Sequence, residues 1–211
     1  MATGPLLNKT LHVVIDMQRL FAEETAWHTP AIAGILPNVV ALSKARPAET
    51  VFARFMVPQN AESATGRWKT YYRRWSSVTL DELDGAMLEL VAPLSAIAGP
   101  GSIVDKQTYS VFGSPEFTAR LQGSGTDTLI FSGVETDVCV YASVLDAVDA
   151  GYRVILAEDA VASGDMKAHA MVIKMLAPRL SEQIEILSTE AILNLWRDSP
   201  AMLLPVITTN S

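Results

Sequence analysis

The sequence contains a single cysteine, Cys139, so it cannot form an intrachain disulfide bond and carries one free thiol. Histidine is also scarce, and the three histidines, His12, His28 and His169, are scattered along the chain. Because a zinc site needs clustered ligands, this distribution argues against a zinc centre. We therefore expect a protein that works without a metal ion or another cofactor.

Charged residues are few for a chain of this size. They make up 18% of the sequence, hydrophobic residues make up 49%, and the net charge is -7. A negative chain argues against nucleic acid and anionic membranes as partners, since both are bound through basic patches. The low charge indicates either a surface covered by other subunits, as in a homodimer or homotetramer, or a well-packed monomer.

The sequence also lacks a hydrophobic run long enough to span a bilayer. Its first ten residues, Met1–Thr10, lack the basic segment and apolar run of a signal peptide. We expect a cytoplasmic protein that acts on a small molecule.

Short β-branched runs alternate with longer helical patterns along the chain. The predicted strands are Leu11–Ile15, Thr50–Phe55, Ser102–Val104, Thr128–Phe131, Arg153–Leu156 and Ile184–Leu187. The predicted helices include Ile35–Lys44, Glu116–Gln122, Val138–Ala150 and Met166–Leu176. Most strand runs are continuously apolar, which is typical of strands buried on both faces. The pattern predicts an α/β fold, with residues 1–211 as one Rossmann-like domain of three layers around about six mostly parallel strands.

One segment, at about residues 58–95, interrupts this alternation. It contains Trp68, Tyr71, Tyr72 and Trp75, which would form one aromatic face of a helix. That face is either part of the core or the wall of a lid-like insertion over a binding site. We expect a lid, with Trp68 or Tyr72 nearest the substrate.

Chemically useful side chains follow several predicted strands. Asp16 follows the first strand, Lys106 the third and Cys139 the fourth. Ligands of open parallel sheets bind outside the carboxyl ends of the strands, so these three side chains should meet at one edge. Singly, each has an ordinary explanation: a helix cap, a solvated lysine or a small buried thiol. Together they predict a catalytic site.

Cys139 has further support from the helix predicted around it. Thr136 or Asp137 can cap this helix, which places Cys139 in its first turn. The positive helix terminus and a nearby lysine would lower the pKa of the thiol. The unpaired N–H groups of the turn could stabilise an oxyanion beside the sulfur.

Three segments of the chain resemble the isochorismatase-like superfamily of cysteine hydrolases. They are Asp16–Gln18 after an apolar strand, Lys106–Phe112, and Gly133–Val140, of which the last is the most specific. The superfamily includes nicotinamidases, carbamoyl-group amidohydrolases and isochorismatases. The resemblance extends from about residue 10 to about residue 190.

This resemblance implies a catalytic trio of Asp16, Lys106 and Cys139. It also implies a cis peptide bond between Val134 and Glu135, with the N–H groups of Glu135 and Cys139 holding the oxyanion. We expect substrate contacts from a larger set of aromatic and basic side chains: Phe21, Arg54, Trp68, Tyr72, Tyr109 and Phe112. Arg54 could hold a substrate carboxylate in bidentate fashion, or could pair with Glu62 or Asp81.

The sequence departs from the metal-dependent nicotinamidases, which carry an Asp-x-His pair after the second strand. The corresponding segment here, Ala53–Val57, contains no histidine. Within the resemblance, isochorismatases that cleave a vinyl ether do not depend on a cysteine, so Cys139 favours covalent hydrolysis of an amide, carbamoyl or ureido C–N bond. Alternative hypotheses are vinyl-ether hydrolysis, a thiol sensor and a non-catalytic binding module on the same fold.

Overall fold

The computed structural model describes Leu6 and residues 9–197, and the sheet is its central feature. The strands are β1 (Thr10–Ile15), β2 (Thr50–Phe55), β3 (Ile103–Lys106), β4 (Thr128–Val134), β5 (Arg153–Ala162) and β6 (Ile184–Leu187). They form a six-stranded sheet in the order β3-β2-β1-β4-β5-β6. Each neighbouring pair is parallel. The predicted α/β fold is therefore confirmed.

The helices connect the strands and cover the sheet. The α-helices are α1 (Arg19–Ala22), α2 (Ile32–Ala45), α3 (Trp68–Arg74), α4 (Ala92–Ser95), α5 (Pro115–Ser124), α6 (Tyr141–Asp149), α7 (Met166–Met171) and α8 (Thr189–Arg197). Short 3-10 turns occupy Pro47–Glu49, Ala61–Ser63, Ser76–Val78, Gly85–Leu88, Val111–Gly113 and Ala177–Leu180, and π-helical turns occupy Thr136–Val140 and Val172–Leu176. No helix in the described part of the chain is long and apolar enough to cross a membrane.

Two groups of helices lie on opposite faces of the sheet. The chain moves from β1 to β2 in one direction across the sheet, and from β3 to β4 and β4 to β5 in the other. Because parallel crossovers are right-handed, α2 covers one face while α5 and α6 cover the other. α8 packs beside α2 on β5. These layers explain why every residue of β1 and β4 is buried.

Local sequence signals set several helix ends. Ser114 caps α5 by accepting a hydrogen bond from the N–H of Phe117, Pro115 occupies its first turn, and Gly125 ends it with φ of 65°. Asp165 caps α7 by accepting from the N–H groups of Lys167 and Ala168. Sequence-encoded caps therefore fix where these helices begin.

Three strands continue beyond their predicted ends, and one of them, β4, reaches Val134. β3 includes Lys106 as its last residue, and β5 continues to Ala162. Glu158 and Asp159 consequently lie within β5. Asp159 Oδ1 accepts hydrogen bonds from the N–H (2.7 Å) and hydroxyl (2.8 Å) of Thr189, which fixes the start of α8. The apolar segment Ala201–Ile207, a further sequence feature that favours self-association, lies outside the described residues.

Candidate active site

The site lies where the sheet reverses its direction of winding. β1 and β4 are neighbours, but the chain leaves β1 toward one edge of the sheet and leaves β4 toward the other. The loops after these strands diverge and leave a crevice between them, the usual ligand position in such sheets. Asp16 follows β1 directly, and Cys139 lies in the π-helical turn after β4.

Asp16 is held in an uncommon backbone conformation. Its φ is 54°, in the left-handed region that is rare for residues other than glycine. Its N–H donates to the carbonyl of Ala53 at 2.9 Å, which ties the end of β1 to β2. The side chain is 1% exposed. The backbone thus turns this carboxylate into the crevice and away from solvent.

Lys106 forms a buried ion pair with Asp16. Its Nζ donates to Asp16 Oδ2 at 2.9 Å and to the carbonyl of Thr108 at 3.2 Å. The same Nζ lies 4.6 Å from the ring centroid of Phe55, and the lysine side chain is fully covered. A buried charge needs such compensation, since desolvation of an unpaired ammonium is costly.

The second oxygen of Asp16 has a different environment. Asp16 Oδ1 is buried and accepts no hydrogen bond from a nitrogen or oxygen atom of the described residues, and the Cys139 thiol lies within hydrogen-bonding reach of the same carboxylate. Burial raises the pKa of Asp16, and the charge of Lys106 and hydrogen bonds from Lys106 and the Cys139 thiol oppose this effect. A buried carboxylate with a raised pKa beside a thiol is suited to accept and return a proton.

Cys139 is 7% exposed and reaches the floor of a cavity. Burial raises the pKa of its thiol well above the ordinary value, and the negative charge of Asp16 raises it further, while Lys106 lowers it. The expectation of an unusually acidic thiol is therefore wrong for the free protein. The main physical reason is burial of the thiol, and the negative charge of Asp16 offsets the charge with which Lys106 would stabilise a thiolate.

The turn that carries Cys139 begins without the predicted side-chain cap. Thr136 Oγ1 instead shares a hydrogen bond of 2.9 Å with His169 Nδ1, and Asp137 Oδ1 accepts one of 2.5 Å from Ser163 Oγ. Both side chains thus attach the turn to neighbouring segments. The N–H groups of Val138 and Val140 both donate to the carbonyl of Glu135 at 3.1 Å.

The peptide bond between Val134 and Glu135 is cis, as the family resemblance implies. Just before it, Gly133 has φ of 107°, and a Cβ atom at this position would lie 2.0 Å from the carbonyl oxygen of Ile15. Only glycine allows β4 to approach β1 this closely. The close approach brings the loop of Cys139 beside that of Asp16.

A cavity of about 270 Å³ opens beside Cys139. Its lining is mainly aromatic and comprises Phe21, Ala26, Trp27, His28, Phe55, Tyr71, Trp75, Tyr109, Glu135, Val138 and Cys139. Of the predicted substrate contacts, Phe21 and Tyr109 lie on this cavity. Its volume is near the lower end of the usual range for small-molecule sites, about 300 to 1,000 Å³.

The other predicted substrate contacts lie elsewhere. Arg54 donates to both oxygens of Asp105, at 2.9 and 3.1 Å, and to Glu89 at 3.0 Å, so its guanidinium is committed to neither Glu62 nor Asp81. Phe112 packs against Phe117, with ring centroids 5.3 Å apart. Neither side chain lines the cavity beside Cys139.

The aromatic face of the 58–95 segment is divided between two environments. Tyr71 and Trp75, one helical turn apart, line the cavity with Cys139. Trp68 and Tyr72, also one turn apart, line a separate cleft of about 800 Å³, and Tyr72 is only 3% exposed. The segment therefore contributes Tyr71 and Trp75 to the wall of the cavity beside Cys139, whereas Trp68 and Tyr72, which we expected nearest the substrate, do not line that cavity. Only two of the four aromatic side chains therefore line the cavity beside Cys139.

Several lining residues were missed from the sequence. Trp27 and His28 lie in the loop between α1 and α2, and Phe55 ends β2; all three belong to the same carboxyl edge as Asp16. Their position after the carboxyl ends of β1 and β2 could have identified them as lining residues from the sequence. Gln18 proves structural: its amide donates to the carbonyls of Phe55 and Leu88 and accepts from the Phe55 N–H at 2.7 Å.

The histidines do not form a metal centre within the described part of the chain. No group of three or more histidine, cysteine, aspartate or glutamate side chains there could hold a metal ion. His12 is buried in β1 and bonded to Ser132 Oγ at 2.8 Å. His28 is exposed at the cavity, and His169 contacts Thr136.

Comparison with known proteins places this arrangement among related folds. A family model of the isochorismatase domain matches residues 10–188. A maleamate amidohydrolase of Pseudomonas putida is 28% identical over 157 residues, 67% of this chain and 69% of that protein. An isochorismatase family protein of Bacillus subtilis strain 168 is 30% identical over 81 residues, 38% of this chain and 44% of that protein. This chain thus spans less than half the length of that relative.

A solved structure shows the same architecture over nearly the whole chain. The crystal structure of a cysteine hydrolase from Pseudomonas syringae pv. phaseolicola 1448A superposes with a TM-score of 0.78 and 25% identity. The match covers 92% of this chain and 96% of that one.

Proposed function

Because the chain belongs to the isochorismatase family of hydrolases, we propose that it hydrolyses a C–N bond of a small carboxamide or a carbamoyl or ureido compound. The observation that carries this proposal is the buried ion pair between Asp16 and Lys106, set beside a thiol on the floor of an aromatic cavity. A proton acceptor, a compensating cation and a nucleophile are the parts that covalent hydrolysis requires. We also propose that the protein acts in the cytoplasm.

In the first half of the proposed reaction, the Cys139 proton passes to Asp16 as the sulfur attacks the substrate carbonyl carbon. The carbonyl π electrons move to oxygen, and the N–H groups of Glu135 and Cys139 stabilise this oxyanion. The oxyanion then reforms the carbonyl bond, the C–N bond breaks, and Asp16 returns its proton to the leaving nitrogen. Ammonia or an amine departs, and a thioester remains on Cys139.

In the second half, water replaces the amine. Asp16 removes a proton from water as the water oxygen attacks the thioester carbon, and the C–S bond then breaks. The proton then passes from Asp16 to the Cys139 sulfur, which restores the free protein and releases the acid. The raised pKa of Asp16 suits this alternation between base and acid. Lys106 keeps the carboxylate oriented and limits the charge imbalance when the thiolate forms.

The test is ammonia release from a panel of primary amides and ureido compounds. We expect turnover by the unaltered protein and loss of it in Cys139→Ala. With a good substrate, mass spectrometry of quenched reactions should show an acyl adduct on the peptide that contains Cys139. Cys139→Ser is the matched control, since serine is close to cysteine in size but is a weaker nucleophile. It separates loss of the nucleophile from loss of side-chain volume.

The alternatives give different outcomes. Turnover of a vinyl ether that survives in Cys139→Ala would replace the proposal with the cysteine-independent reaction. Reversible oxidation of Cys139 without turnover of any panel compound would indicate a thiol sensor. Binding of panel compounds with no turnover and no adduct would indicate a binding module.

A further inference from the structure

The cavity beside Cys139 is lined mainly by aromatic side chains. Phe21 and Trp27 are stacked, with ring centroids 6.0 Å apart and planes inclined by 14°. Tyr71 approaches Trp27 to 5.9 Å, and Trp75 completes the wall contributed by α3 and its end. Aromatic faces carry negative electrostatic potential, so walls of this kind attract cations and disfavour anions.

One carboxylate stands among these rings. Glu135 lines the cavity, and its Oε1 accepts a hydrogen bond from the N–H of Gly164 at 2.8 Å, with Thr29 Oγ1 at 3.5 Å. These contacts fix the side chain in position. Its other oxygen, Oε2, has no hydrogen-bond partner among the described residues. The cavity therefore presents a positioned acceptor whose negative charge is not compensated locally.

Cations that could reverse this charge are placed elsewhere. Among the described side chains, no lysine or arginine lines the cavity. Lys106 is covered and paired with Asp16, and Arg54 is paired with Asp105 and Glu89. The Arg74 guanidinium lies 5.0 Å from the ring centroid of Trp75 without lining the cavity.

Two other nitrogen groups near the cavity do not change this balance. The indole nitrogen of Trp27 is buried without a partner among the described residues, so protein atoms cover it and it offers no donor at the cavity surface. His28 lines the mouth and is exposed.

We propose that this cavity selects substrates by charge, so that the end of the substrate remote from the reacting carbonyl is a cationic nitrogen group bound by Glu135 and the aromatic faces. The inference rests on the proposed amide hydrolysis for the identity of the reacting group. It adds that amides with a remote carboxylate are poor ligands. The small volume restricts the ligand to a single ring or a short chain.

Three benzamides of nearly equal size test the proposal. They are 4-(aminomethyl)benzamide, which is cationic, 4-(hydroxymethyl)benzamide, which is neutral, and 4-carbamoylbenzoate, which is anionic. Their dissociation constants are measured by calorimetry on the Cys139→Ala protein, which binds without turning over. At about pH 8, we expect the cation to bind at least about tenfold more tightly than the anion, as a cation–π contact and a charge pair together provide.

Matched variants assign the selectivity to Glu135. In the Cys139→Ala background, Glu135→Gln should reduce the ratio of the two dissociation constants by about tenfold, since the amide keeps the size and the Gly164 contact but removes the charge. Glu182→Gln removes an exposed carboxylate just before β6, at the opposite end of the sheet, and should leave the ratio unchanged. If Glu135→Gln does not fold, Trp75→Leu, which removes one aromatic wall, should also reduce the ratio.

The outcomes separate this inference from the proposed function. Equal or tighter binding of the anion, or a ratio that neither Glu135→Gln nor Trp75→Leu changes, would overturn the charge selection. Hydrolysis is measured separately on the unaltered protein with the same three compounds and the wider panel of primary amides and ureido compounds. Tighter binding of the cation than of the anion, without hydrolysis of any compound, supports the charge selection and contradicts the proposed hydrolysis. Hydrolysis of the anion in preference to the cation supports the proposed hydrolysis and contradicts the charge selection.

Discussion

Lys106 Nζ lies 2.9 Å from Asp16 Oδ2, with both side chains almost fully buried. The lysine charge is therefore committed to the carboxylate, and the thiol of Cys139 faces a compensated pair and not an isolated cation. This relationship adds to burial, the main cause, in keeping the pKa of the Cys139 thiol above its ordinary value. It also suggests that the thiolate forms only as the proton moves to Asp16 during attack on a substrate.

The first prediction concerns thiol reactivity. Because burial and the Asp16 charge raise the pKa of Cys139, the midpoint of alkylation against pH should lie above about 8.5, the ordinary cysteine value. Asp16→Asn should lower the midpoint by removing a negative charge, and Lys106→Met should raise it. Alkylation by iodoacetamide, followed by mass spectrometry, measures all three. A midpoint below the ordinary value in the unaltered protein would contradict the assignment.

A second prediction is metal independence, based on the missing Asp-x-His pair after β2. Once a substrate is found, dialysis against a chelator should leave turnover unchanged. The control is the same protein dialysed without chelator. Loss of activity that zinc or manganese restores would show that a metal takes part.

The third prediction separates the two halves of the aromatic stripe. Tyr71→Ala and Trp75→Ala should change KM or kcat, because both rings line the cavity. Tyr72→Ala should instead lower the free energy of unfolding by about 3 kcal/mol, as truncation of a large buried side chain does. Denaturant unfolding and steady-state kinetics on the three variants distinguish these effects. Unchanged kinetics in both Tyr71→Ala and Trp75→Ala would remove α3 from the substrate site.

The fourth prediction concerns stability against acid. Burial lowers the pKa of His12 to about 3, so the folded protein keeps this ring neutral while the unfolded chain protonates it below about 6.5. Because the pKa of His12 is lower in the folded protein than in the unfolded chain, the unfolded chain binds more protons as the pH falls below about 6.5, and the folded protein loses stability. Between about pH 6.5 and pH 5 the free energy of unfolding should fall by about 2 kcal/mol from this group alone.

Two variants assign that effect. His12→Gln should unfold more easily at neutral pH, since it loses the bond to Ser132, but should show a flatter pH dependence in this range. His28→Gln, which replaces an exposed histidine outside the core, is the matched control variant. A slope in His12→Gln equal to that of the unaltered protein would refute the assignment.

The fifth prediction is self-association. Two features support it: the low fraction of charged residues, and three exposed methionines. Met166, Met171 and Met175 are 61%, 52% and 63% exposed. Sedimentation at micromolar concentration should give a multiple of 22.8 kDa. The monomer mass at every concentration would count against this prediction.

The sequence by itself determined the strands of the sheet and the edge at which the candidate catalytic residues lie. Continuous apolar runs specify strands buried on both faces, and residues that directly follow such strands must lie at one edge, so Asp16, Lys106 and Cys139 could be brought together without coordinates. Capping residues such as Asp165 set local helix starts for the same reason: their interactions span only a few residues.

Only the tertiary structure decided which side chains face the cavity and how the charges balance. Tyr71 and Trp75 line it while Trp68 and Tyr72 do not, because the orientation of α3 about its axis depends on packing against distant loops. The guanidinium of Arg54 is paired with Asp105, its direct register partner on the neighbouring strand β3. The pKa of Cys139 depends on burial and on the distance between Asp16 and Lys106, which are 90 residues apart in sequence. Such quantities arise from long-range contacts, and local sequence patterns do not encode them.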